Sequence, residues 1–502
     1  MRSVAARVLR VGAVVLPLLG ISVAGDRPAA ESIITNAKVW TVDKNHPQAE
    51  AVAIIGNRIV AVGTEAEIDA WRGPQTGIID AAGKLLLPGF NDAHVHFISG
   101  SMQLDQVQLN DARTKEEFVR RIAEQTKKTP KGEWMLGGDW DEQNWAESEP
   151  AAGLPTRVWI DEITPDTPVF LNRHDGHESL ANSVALKLAG VTAKTQAPAG
   201  GEIVRDAQGN PTGLLKDAAM ALVDRVIPPI TPERRLRAAR RGLEHAASVG
   251  VTSLQDMNPE YADIATYSLL EDRGELTARL HVAPLETHWQ DQAKLGIRHS
   301  FGSDFLTLGA VKGFADGSLG STTAFFFEPY VDAPNTRGLL SDEMHPPEKM
   351  LERLKGADRA GLQLCIHAIG DRAISMILDM FEQIAKGNGT RDHRFRIEHA
   401  QHVAPKDFDR FARLQVIASV QPYHAIDDGI WAEKRIGAVR IRTTYAFRTF
   451  LDRGVHLAFG TDWNVAPLNP MLGLYAAVTR ETLDGKNPNG WVPEQKIKIS
   501  EA

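Results

Sequence analysis

The stretch Leu85–Phe97, LLLPGFNDAHVHF, decides how the rest of the chain is read. Three leucines lead into Pro88-Gly89, and His94 and His96 then stand one residue apart behind Asn91 and Asp92. Residues i and i+2 of a β-strand share a face, so the two imidazoles point the same way. Such a pair can bind one metal ion; it can equally be two satisfied core or surface histidines. The segments that follow tip the balance.

Seven further short apolar runs come after it, most of them followed by a helical pattern. They are VTSLQDM (251–257), RLHVAPL (279–285), LTLGAVKGF (306–314), LQLCIHAIG (362–370), FRIEHAQ (395–401), VIASVQPY (416–423) and VHLAFGTDW (455–463). With the opening stretch they make eight, at intervals of roughly 20 to 50 residues, the size of a βα repeat. Eight such units predict an α/β fold, a (β/α)8 TIM-like barrel, over 88–502 with an insertion at about 98–250. Strands of such barrels carry their chemistry at the C-terminal ends. There the sequence places His367 in IHAIGD, His399 in IEHA and Asp462 in GTDW. Together with His94 and His96 they make a candidate transition-metal site on one rim.

Lys312, in TLGAVKGFADG, is a lone cation in an apolar strand. It either binds substrate or pairs with Asp316, or it is carboxylated on its amine. Two divalent ions would outweigh the charge of Asp462 and a bound hydroxide. A bridging carbamate cuts that excess and replaces a repulsive ammonium, and desolvation supplies the neutral amine that reacts with CO2. Asp462 could instead be no more than a helix cap. His177 and Asn182 in DGHESLANS either line the pocket or brace the insertion, and His424 after SVQPY is a further, weaker candidate for substrate contact. Trp140 and Trp145 suit an aromatic substrate wall or a packed loop, and Asp316 and Arg372 suit bracing of the rim. Cys365, two residues before His367, is expected in the barrel core.

Residues 32–87 read differently. Short β-branched runs with Gly56-Asn57 between VAII and RIVAV predict a hairpin within a small β-sheet domain. The first 25 residues hold Arg2, Arg7 and Arg10, an apolar run and small residues, the order of a secretory signal peptide cut after Gly25. That order predicts a periplasmic or secreted protein with no membrane attachment after cleavage. A single cysteine rules out an internal disulfide. The net charge of -8 is spread without a basic block, which gives no footing for nucleic acid.

The motifs PGFNDAHVHF, DGHESLANSVAL, GEIVRDAQGNPTGLLKDAA, VKGFADGSLGSTTA, IHAIGDRA, RIEHAQ and GTDWNVAPLNPMLGLYAAVTRE span nearly the whole chain from residue 32. On them the sequence resembles the amidohydrolase superfamily, in its YtcJ-like or N-substituted formamide deformylase-like branch (amidohydrolase family 3). The resemblance implies a metal-dependent barrel hydrolase beside a small β-sandwich domain, whose N-terminal part is 26–87. It implies His94, His96, Lys312, His367, His399 and Asp462 as the metal site for one or two divalent ions, Zn foremost. It further implies attack of metal-activated hydroxide on the carbon–nitrogen bond of a small amide-type substrate, with Asp462 as the acid–base residue. Ester or lactone hydrolysis, isomerisation, or a non-catalytic metal-binding regulatory role would use the same scaffold. A homodimer is compatible with it. Chains of this kind continue into a segment that completes the sandwich; here the sequence stops at KIKISEA, which predicts exposed apolar surface on the strands of 32–87.

Overall fold

The computed structural model describes residues 28–109, 111–140, 154–173, 178–198, 201–217, 219–320 and 322–502. The proposed leader, Trp145 and His177 lie outside these residues. The chain divides into two units at Pro88.

In the first unit, Ala51–Ile55 and Arg58–Gly63 pair antiparallel across Gly56, whose φ of 55° supplies the left-handed turn that the Gly-Asn pair predicted. Ser32–Thr35 pairs with Ala51–Ile55 on one side and with Gly77–Asp80 on the other. A second sheet of Gln48–Ala49, Lys38–Trp40 and Leu85–Leu86 completes the unit. Ile59, Val62, Ile78, Ile79 and Leu85 are exposed.

The second unit contains the eight predicted strands: β1 (Phe90–Val95), β2 (Val251–Met257), β3 (Arg279–Ala283), β4 (Ala310–Phe314), β5 (Gln363–Ala368), β6 (Arg396–His399), β7 (Ile417–Val420) and β8 (Leu457–Phe459). They form two parallel arrays, β1–β2–β3 and β4 through β8 in order. The predicted run 306–314 is broken at Gly309. Leu306–Leu308 pairs with β3, whereas Ala310–Phe314 pairs with β5. Gly309 has φ 115°, and a Cβ there would lie 2.1 Å from the Arg298 carbonyl oxygen. Gly309→Ala is therefore expected to destabilise the fold by at least about 2 kcal/mol, read as a lower urea midpoint at unchanged slope. Single backbone links join the two arrays: the Lys312 amide donates to the Pro284 carbonyl at 2.9 Å. Between β1 and the end of β8, Asp462 N donates to His94 O at 2.7 Å and His96 N to Trp463 O at 2.6 Å.

Helices cover the strands because their apolar residues recur at helical spacing. In Asp371–Asn388, Ile374, Ile377, Leu378, Phe381 and Ile384 are all buried. Helix Pro232–Ser248 starts on Thr231, whose side chain accepts from Arg234 N, and packs against helix Phe97–Gln103. Gly242 permits that approach, since a Cβ there would stand 2.0 Å from Ser101 Oγ.

The insertion is a six-stranded sheet running Gly201–Arg205, Pro211–Asp217, Glu178–Ala181, Phe170–Arg173, Gly137–Trp140, Val107–Gln108. Alternation sends Leu171, Leu180 and Leu214 to one buried cluster and Phe170, Ala181 and Leu215 to another. Trp140 belongs to the first cluster and is fully buried, its Nε1 donating to Leu171 O at 3.3 Å, so it packs the insertion and is no substrate wall. Asn182 is likewise structural. Its Oδ1 accepts from Val169 N and Ala185 N, and its Nδ2 donates to Thr164 Oγ1 and Thr167 O, which leaves nothing for a substrate. Among the described residues no helix is long and apolar enough to cross a membrane.

Candidate metal centre

His94 lies in β1, Lys312 in β4, His367 in β5 and His399 at the end of β6; His96 directly follows β1, and Asp462 lies three residues beyond β8. One ligand atom from each of His94, His399 and Asp462 lies within 4.8 Å of the other two, and all three residues are buried. Asp462 Oδ1 stands 3.3 Å from His96 Nε2 and 3.6 Å from His94 Nε2. Lys312 Nζ is 3.4 Å from His94 Nε2 and fully buried. His367 stands apart from the three-residue group. Its ring is 4.5 Å from that of His399, but its Nε2 donates to Gly317 O at 3.2 Å.

The backbone aims these groups. Asp462 has φ 61° and His399 has φ 71°, left-handed conformations that cluster where structure over-determines a site. Asp92 holds the seam beneath them: its Oδ2 accepts from Thr461 Oγ1 at 2.6 Å, and its Oδ1 from Thr461 N at 2.9 Å and His94 N at 3.2 Å. Burial pushes Asp92 up to about 7.

A second set of residues fixes the tautomers, and the sequence reading did not single it out. His94 Nδ1 donates to Glu398 Oε2 at 2.7 Å, His96 Nδ1 to Met257 O at 3.0 Å and His399 Nδ1 to Gln421 Oε1 at 2.8 Å. Each bond leaves Nε2 unprotonated, the form a metal takes, with Lys312 Nζ against that of His94. Burial, with Lys312 adding to it, pushes His94 down to about 4; burial, with His367 adding to it, holds His399 well below the ordinary imidazole range. Both rings are thus neutral. Burial lowers Lys312 as well. The signal for Glu398 was present in RIEH, where Arg396 and Glu398 alternate as charges in an apolar run and share one strand face.

Two imidazoles with unprotonated Nε2 and a carboxylate could hold a divalent ion, with His96 and Lys312 at its edge. Among the described residues the buried Asp462 Oδ1 has no hydrogen-bond partner, the state expected of an oxygen that faces a cation. The group opens into a cavity of about 460 Å³ lined also by Phe314, Ile369, Gln401, His424 and Trp431. His424 is thus placed where substrate contact was expected, with its Nε2 buried and unpartnered. Cys365 is fully buried and burial raises its thiol to about 12, which makes it inert core. Asp316 braces the rim as expected, accepting from Ile369 N, Gly370 N and Phe325 N. Arg372 lies 4.7 Å over the Phe325 ring.

Residues 77–502 match the amidohydrolase family. The chain belongs to that family. It is 40% identical over 487 residues to Protein LONG AFTER FAR-RED 3 of Arabidopsis thaliana, covering 94% of this chain and 82% of that one. It is 28% identical to the N-substituted formamide deformylase of Arthrobacter pascens, over 94% of this chain and 87% of the other. Among solved structures, a metal-dependent hydrolase from Pyrococcus horikoshii OT3 superposes with a TM-score of 0.76 at 28% identity, covering 94% of this chain and 90% of its own. The amidohydrolase-family assignment takes in every strand from which the site is built, β1 through β8.

Proposed function

We propose that this protein is a metal-dependent hydrolase of carbon–nitrogen bonds in small amide-type compounds, formamides foremost. The observation that carries the reading is the buried Asp462 Oδ1, without a hydrogen-bond partner among the described residues, 3.6 Å from His94 Nε2 and 3.3 Å from His96 Nε2. The formamide deformylase and the metal-dependent hydrolase among its relatives support it. We read the two parallel arrays as one (β/α)8 barrel, with both seams held by the backbone links described above.

His94, His399 and Asp462, with His96 and Lys312 beside them, would hold the metal, and zinc suits this set of nitrogen and oxygen donors. When bound, it would supply a water of near-neutral pKa and polarise the substrate carbonyl. The rest falls to the chain. Asp462 Oδ1 takes a proton from the attacking water as the new carbon–oxygen bond forms. It returns that proton to the nitrogen as the carbon–nitrogen bond breaks. His424, whose buried Nε2 has no hydrogen-bond partner among the described residues, is positioned to hold the substrate's polar atoms. Phe314, Ile369 and Trp431 exclude water from the rest of the cavity. We further read the buried amine of Lys312, whose pKa burial lowers, as a site of carboxylation that would supply an added oxygen donor to the metal site.

Elemental analysis of the purified protein is expected to give stoichiometric metal, and His94→Ala to lower it by about tenfold or more. Metal-free parent protein that still turns over formamides would sink the reading. Turnover of esters alone, in a screen of formamides, N-acyl compounds and esters, would redirect it. Export to the periplasm or beyond is proposed on the 1–25 pattern, with a mature N-terminus after Gly25 as the sequencing result expected.

A further inference from the structure

Asp427, Asp428 and Trp431 line the wall of the cavity together with His424. Both acids close the helix Pro422–Asp428, which directly follows β7. Asp428 Oδ2 accepts from Gln401 Nε2 at 2.7 Å and from Tyr445 OH at 2.6 Å. Both donors are neutral. Among the described residues neither Asp427 nor Asp428 is in an ion pair with Lys, Arg or His within 4.0 Å. Burial pushes Asp428 up to about 6, against the opposing pull of Tyr445 and His424, so at neutral pH a mostly ionised carboxylate lines the cavity with no lysine or arginine paired to it among the described residues. Buried charges are ordinarily paired, and this one faces the space a ligand would fill. Trp431 adds an indole face, which attracts cations.

The opposite charge is scarce. Lys312 is the one lysine or arginine lining the cavity among the described residues, and it sits against His94. A carboxylate or phosphate on the distal part of a substrate would meet two like charges and no cation. An ammonium group would meet two acids and an aromatic face.

We propose that this wall holds a protonated nitrogen at the end of the substrate away from the scissile bond, so that the class taken is an amide- or formamide-type compound carrying a second, basic nitrogen. The inference rests on the hydrolase reading above, so its test includes a binding measurement that does not need turnover.

Three N-formylbenzylamines of matched size, with a para aminomethyl, hydroxymethyl or carboxyl group, are assayed on the metal-loaded full chain. The aminomethyl compound is expected to exceed the hydroxymethyl one in kcat/KM by about tenfold, and the carboxyl compound to fall below it by a similar factor. Asp428→Asn, which keeps an oxygen for Gln401 and Tyr445, and Asp427→Asn, at an exposed position, are each expected to bring the cation-to-neutral ratio toward one. Calorimetric titration with benzylammonium against benzyl alcohol is expected to show the same preference, weakened by salt. Turnover with no preference for the cation, or a ratio unmoved in both variants, overturns the proposal and leaves the hydrolase reading standing. No turnover of any compound, with benzylammonium binding that Asp427→Asn abolishes, supports the wall and removes the hydrolase reading. Neither turnover nor binding overturns both.

Discussion

Asp462→Asn is expected to lower kcat/KM on a formamide by ~10³-fold or more, mostly through kcat, while the unfolding midpoint moves by no more than a few degrees. The substitution discriminates because it changes so little else. Asp462 sits at φ 61°, a conformation that Asn adopts as readily as Asp. The Asp462 amide would still donate to His94 O and hold the β1–β8 seam. What disappears is the negative charge on Oδ1 and its ability to take a proton. If Asp462 were only a cap, Asn would serve nearly as well and activity would survive. Metal content measured on the same preparation separates loss of the ion from loss of proton transfer. A variant that keeps its metal and most of its rate would remove Asp462 from the chemistry.

The architecture was legible because each strand of the two parallel arrays is a short apolar run ending in a polar group, and β2 matches its predicted run, 251–257, residue for residue. The site was legible in part, for a physical reason visible at β6. Alternation puts Arg396 and Glu398 on the inner face and Ile397 on the outer one, where it joins the large core cluster under the helices. By the same rule His399 should face outward. Its left-handed backbone, with Ala400 following at φ 41°, turns it over the rim instead. No periodicity announces such a turn. Lys312 needed no such device, since Ala310, Lys312 and Phe314 alternate inward in a regular strand. His367 was placed on the right strand, but sequence could not show that Gly317 O would engage its Nε2. Of the two roles the motif left open to Asn182, pocket contact or bracing of the insertion, the structure shows the second, since its hydrogen bonds go to Thr164, Thr167, Val169 and Ala185 within the insertion.

Arg396→Met is expected to destabilise the protein by about 3–5 kcal/mol, an effect set by the buried charge it strands. The guanidinium is buried and planar against Glu398, with Nε donating to Oε1 at 2.8 Å and Nη2 to Oε2 at 3.0 Å. Nη2 also donates to Ala93 O at 2.7 Å and to Ser419 Oγ at 2.9 Å, and Nη1 donates to Gln255. The group thereby ties β6 to β1, β2 and β7 beneath the site. Burial alone would raise the Glu398 carboxyl; Arg396 overrides it and holds the carboxyl well below the usual range. In the parent, a depressed pKa means that Glu398 contributes stability above its unfolded value and loses it as pH falls through the folded one. Without Arg396 the sign reverses. The folded pKa rises above the unfolded value, so the penalty is full at neutral pH and fades as the carboxyl protonates. The gap in unfolding free energy between variant and parent should therefore narrow from about pH 7 to pH 5. Adding Glu398→Gln should recover part of the loss at pH 7, because the double variant leaves no unpaired charge and Gln can still accept from His94 Nδ1. A loss under about 1 kcal/mol, or a gap indifferent to pH, would mean that Arg396 does not compensate Glu398 and that something else orients His94.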